Sequence, residues 1–122
     1  MSGRGSLSIM AALVAVLGIV AAAHAHSVLD SVTPAAGSTV HGSPQEVKIT
    51  FSQPIEHAFS SVRVLDKAGK RVDKKNEKAP ADPKVLAVPL APLAPGSYRV
   101  IWRALAKDGH VTKGEFSFSV AP

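Results

Sequence analysis

The sequence predicts an all-β fold: an immunoglobulin-like Greek-key β-sandwich of about seven strands, preceded by a cleaved signal peptide. Three observations predict it. Short runs of alternating or β-branched apolar residues recur along residues 26–122, turn formers separate them, and no helical period appears there. With 122 residues, 46% of them apolar, the chain can build one compact core and is short for two.

The first element in chain order is an export signal. Arg4 supplies the positive n-region, and residues 9–23 (IMAALVAVLGIVAAA) form an apolar run followed by small residues around Ala23-His24-Ala25. That run is shorter than the ~20 residues a spanning helix needs, and it ends in a small-x-small pattern, so a retained anchor is the weaker reading. Cleavage after Ala25 divides the chain into a signal peptide, 1–25, and one mature domain, 26–122, that begins at His26. A cut after Ala23 also satisfies the small-x-small rule and would leave His24-Ala25-His26 at the terminus. On either cut both methionines, Met1 and Met10, leave with the signal.

The strand candidates follow at 47–51 (VKITF), 62–65 (VRVL), 85–88 (VLAV), 98–104 (YRVIWRA) and 116–120 (FSFSV). In the last, Phe116, Phe118 and Val120 share one face while Ser117 and Ser119 take the other, as a half-buried strand requires. Turn formers lie at 34–38 (PAAGS), 42–44 (GSP), 67–70 (KAGK) and 95–97 (PGS). Residues 67–83 are rich in Lys, Asp and Pro without apolar periodicity, which predicts an exposed, solvated loop in preference to a docking element.

Composition removes several function classes. The absence of cysteine excludes disulfides, thiolate zinc sites, iron–sulfur clusters, blue-copper centres and cysteine nucleophiles, so any metal must take nitrogen and oxygen donors. A net charge of +5 invites a nucleic-acid reading. One Trp, one Tyr and four Phe, with no aromatic–basic cluster, argue against it.

Four histidines remain in residues 26–122: His26, His41, His57 and His110. If cleavage precedes His26, a free α-amine stands beside its imidazole, and the two nitrogens can close a chelate ring on one metal. Asp108-Gly109-His110 adds a carboxylate and an imidazole two residues apart, which point the same way in extended backbone. Three nitrogens and one oxygen suit the tetragonal preference of copper(II), which also leads the divalent affinity order. Asp-Gly is equally a hairpin signal, and a tight turn between the last two strand runs accounts for Asp108 and Gly109 without metal. The two readings are compatible, since a turn can present ligands. His41 and His57 are expected to be structural or surface residues.

Residues 26–37 (HSVLDSVTPAAG), then 49–52 (ITFS), 89–96 (PLAPLAPG), 98–103 (YRVIWR) and the spacing Asp108-Gly-His110-x-x-x-Gly114-x-Phe-x-Phe-x-Val120 together resemble the CopC family of periplasmic copper-resistance proteins. The resemblance spans nearly all of residues 26–122. It implies a Greek-key sandwich, a site for one copper(II) ion made by the terminal amine and imidazole of His26 with Asp108 and His110, and a periplasmic role as copper carrier or buffer. It also implies coupling to an inner-membrane copper transport protein of the CopD type, with no small-molecule substrate and no catalysis. Members with a copper(I) site carry a Met-rich loop, whereas the corresponding stretch here is lysine-rich and free of methionine, so copper(II) alone is expected. Gln53 stands where many members have an acidic residue and is left out of the ligand set. Two other functions compete: a histidine-brace copper oxidase or monooxygenase-like enzyme, and a metal-free immunoglobulin-like interaction module.

Overall fold

A computed structural model describes residues 28–75 and 80–122. The expected signal peptide, its expected boundary after Ala25, and His26 lie outside the described residues. Among the described residues seven strands form two sheets, as the sequence predicts. They are β1 (Leu29–Thr33), β2 (Thr39–His41), β3 (Glu46–Phe51), β4 (Ser61–Leu65), β5 (Val85–Pro89), β6 (Gly96–Leu105) and β7 (Val111–Ala121). One sheet runs β1-β3-β5 and the other β2-β7-β6-β4; every pairing is antiparallel except β2 beside β7.

The five apolar runs become β3, β4, β5, β6 and β7 because each presents alternate side chains to the space between the sheets. β3 buries Val47, Ile49 and Phe51; β4 buries Val62 and Val64; β6 buries Tyr98, Val100, Trp102 and Ala104. Phe51 and Trp102 meet edge to face with centroids 5.3 Å apart, and Tyr98 stacks on Phe118 at 5.6 Å. Gly114 faces Trp102 across the β6–β7 pair, and a Cβ there would lie 2.9 Å from the indole Cζ2. Any larger residue would push the indole out of its seat.

β1 and β2 escape the periodicity argument for physical reasons. β1 carries a register shift between Leu29 and Ser31, so its inward and outward residues do not alternate, and β2 has three residues, too few to show a period. β7 begins at Val111, well before Phe116, because its polar first half pairs residue for residue with β6.

The stretch 67–83 is exposed at most of its described positions, as expected of a solvated loop, but Asp73 is drawn into the interior. Its first part folds back: Asp66 Oδ1 accepts from the Ala68 and Lys70 amides, Val72 N–H donates to the Val64 carbonyl, and Asp73 bridges to Leu90. Asp73 is buried, with Oδ1 accepting from Val64 N–H at 2.9 Å and both oxygens 2.9 Å from Arg71 Nε. A charged, aperiodic segment thus ties β4 of one sheet to the end of β5 in the other.

Candidate metal centre

The β6–β7 hairpin closes at the pair Leu105–Val111, and the turn beyond it holds Asp108 and His110. Ala106 N–H donates to the His110 carbonyl at 2.9 Å, and Gly109 N–H donates to the Ala106 carbonyl at 2.9 Å. Gly109 has φ +94°, a left-handed conformation that glycine adopts without steric cost. The turn is also anchored from the side. Lys107 N–H donates to the Pro54 carbonyl at 3.1 Å, and Ile55 bridges to Ala106.

Asp108 Oδ1 accepts from the His110 amide at 3.0 Å and lies 3.0 Å from His110 Nδ1. Both side chains are solvent-exposed, 61% for the carboxylate and 82% for the imidazole. The amide of His110, then its ring, hold the Asp108 carboxyl below its ordinary pKa. The carboxylate is therefore an available anionic oxygen beside an imidazole nitrogen, a pairing suited to a divalent cation. The expected pair does meet, but not through strand alternation. Residues 107–109 form a turn, and it is the reversal at Gly109 that brings the two side chains together.

Asp108 and His110 stand at the edge of a cleft of about 370 Å³ whose walls include Val28, Phe51, Gln53 and Ile55. Val28, the first described residue, is fixed there by the Ser52 amide, which donates to its carbonyl at 2.9 Å. Gln53, outside the ligand set that the sequence suggests, lines this cleft. It stands two residues after β3, and no local pattern marks it, because it reaches the cleft through long-range packing. His57 is elsewhere: its Nε2 meets the Val85 carbonyl at 2.6 Å and pins the short 3-10 turn His57–Phe59 to β5. His41 lies exposed at the end of β2. Among the described residues no group of three or more His, Asp or Glu side chains converges, so Asp108 and His110 alone do not complete a four-coordinate site.

The CopC domain model matches residues 29–121. Protein YobA of Escherichia coli K12 is 40% identical over 103 residues, covering 80% of this chain and 79% of that one. Copper resistance protein C of Escherichia coli is 34% identical over 113 residues, covering 86% and 89%. The crystal structure of CopC from Methylosinus trichosporium OB3b superposes with a TM-score of 0.72 at 41% identity, covering 80% of this chain and 95% of that one.

Proposed function

Because the chain belongs to the CopC family, we propose that it is exported to the periplasm, cut after Ala25, and there binds one copper(II) ion as a carrier or buffer in copper resistance. Copper is the cargo. The ligands are the new terminal amine and the imidazole of His26, the carboxylate of Asp108 and the imidazole of His110, held by the domain 26–122.

The observation that carries this reading is the exposed Asp108–His110 pair at the edge of the cleft that Val28 also lines. His26 is two residues before Val28 in the chain. Two extended residues reach about 7 Å, so a terminal donor at His26 lies within chain length of the cleft. Donor chemistry supports copper(II) over copper(I), since residues 26–122 contain neither cysteine nor methionine. An equatorial Asp108 would also fill the position an oxygen-activating enzyme leaves open, which favours a binding protein without turnover. A CopD-type inner-membrane copper transport protein is the partner that fits this role.

The test is the intact mass of the purified processed protein with and without copper(II), joined to two substitutions. The expected result is a chain starting at His26 that gains one copper and loses affinity on either His26→Ala or His110→Ala. If His26→Ala abolishes binding while His110→Ala leaves affinity and spectrum unaltered, a local His24-Ala25-His26 motif holds the metal and the site shared with Asp108 and His110 is wrong.

A further inference from the structure

We infer that the outer face of the β4-β6-β7 sheet docks the protein onto an anionic phospholipid surface. The alternation that buries Val100 and Trp102 turns Arg99, Ile101, Arg103 and Leu105 outward on β6, with Ser61 and Arg63 outward on β4 and Val111, Lys113 and Glu115 outward on β7. Register then sets these residues in rows. Arg103 lies directly opposite Lys113, and Leu105 directly opposite Val111.

Two features of this face work against folding in isolation. Like charges directly opposite one another repel, and the Arg103–Lys113 pair has no carboxylate between its members: Glu115, the acid on this face, is engaged by Arg99 at 3.6 Å. Arg63 and Lys113 have no ion-pair partner among the described residues. The second feature is apolar exposure. Phe59 is 65% and Val111 51% exposed, and these are the exposed large apolar side chains among the described residues. They fall at the same end, because Arg103 Nη1 donates to the Phe59 carbonyl at 3.2 Å and Val111 pairs with Leu105. Glu56 and Asp108 border this row, the second held by His110.

An apolar row at the end of a sheet, with Arg63, Arg103 and Lys113 behind it around an open depression of about 640 Å³, matches the layering of a membrane interface. Phe59 and Val111 would enter the boundary between headgroups and acyl chains while the cations meet phosphates. The other sheet lacks this arrangement, since the exposed residues of β3 include both Glu46 and Lys48. Docking by the β4-β6-β7 face would hold the Asp108–His110 turn, at the same end of the hairpin, close to the bilayer.

The processed chain is tested by co-sedimentation with vesicles of phosphatidylcholine alone or enriched in phosphatidylglycerol. Binding is expected to the phosphatidylglycerol vesicles and to weaken with added salt. Each cation near an anionic leaflet contributes about five-fold in affinity, so Arg103→Ser with Lys113→Ser should weaken binding about 25-fold. Phe59→Ser should weaken it while leaving the salt slope unchanged. Lys48→Ser removes one positive charge from the opposite sheet and should have little effect where either Arg103→Ser or Lys113→Ser alone weakens binding about five-fold, and thermal unfolding checks that each variant is folded. Absence of binding to phosphatidylglycerol vesicles at low salt overturns the proposal, as does binding insensitive to the Arg103 and Lys113 changes. So does capture by soluble polyglutamate without capture by vesicles, which would mark an acidic protein as the occupant. Copper titration of the same variants is unaffected by any of these outcomes.

Discussion

Arg71–Asp73 and Asp108–His110 are two forms of one local arrangement. In each, a carboxylate sits two residues from its partner base, a backbone amide donates to it, and contact distances are 2.9–3.0 Å. They differ in solvent. The Asp73 side chain is fully enclosed, with Val64 N–H and Arg71 on its oxygens, whereas Asp108 and His110 are mostly exposed. Burial with its donors supplied makes the first pair part of the framework. Exposure leaves the second free to exchange its internal contact for a metal. Spacing and geometry alone do not separate a structural carboxylate from a ligand; access and the count of committed donors do.

The largest effect expected from breaking this contrast is on copper. His110→Ala should lower copper(II) affinity by about 100-fold or more while changing stability by less than about 0.5 kcal/mol, because an exposed ring contributes little packing. Competition against a chromophoric chelator and a thermal melt check the two halves. A large loss of stability would mean the turn depends on that imidazole for its fold.

Asp73→Ala should do the opposite. It removes the acceptor of the Val64 amide and leaves a buried gap beside it, at a cost of about 2 kcal/mol, with copper affinity unchanged. For a domain of this size that is a melting shift of roughly 8–16 °C.

Acid sharpens the comparison further. Burial raises the Asp73 pKa, but the hydrogen bonds from Arg71 and Val64 and the Arg71 charge outweigh it, so the net shift is downward from 3.8. A folded-state pKa below the unfolded one gives stability that is complete above about pH 4 and lost as pH falls through the lower folded value. Copper donors behave differently, because an amine and imidazoles must be free of protons to coordinate, so protons compete with the metal as the solution is acidified. Titrating from pH 7 to 5 should therefore lower the copper affinity of a protein whose unfolding midpoint keeps the Asp73 contribution. Copper affinity unchanged over that range would argue against nitrogen ligands of this kind.

The smallest effect is Gly109→Ala. A Cβ at Gly109 meets no atom within 4 Å, so the cost is the φ of +94° alone, about 1 kcal/mol. Copper affinity should fall as well, because the same reversal aims Asp108 and His110. A loss of stability with affinity intact would show that the pair does not depend on this turn.

By itself the sequence determined the all-β class and the five strands that build the core, because alternation over several residues registers burial directly. It also marked Asp108 and His110 as a pair, since local spacing and donor chemistry need no knowledge of the fold. The irregular β1 and three-residue β2 were decided by the sheets they pair with, as neither carries a period of its own. The burial of Asp73, read from sequence as part of a solvated loop, needed β4 and the end of β5 to surround it. Gln53 and Val28 join the Asp108–His110 cleft by long-range packing, which leaves no local trace. Periodicity and composition report what a residue does with its chain neighbours; which distant residues share a cleft, and which of two similar carboxylates water can reach, is fixed when the sheets close.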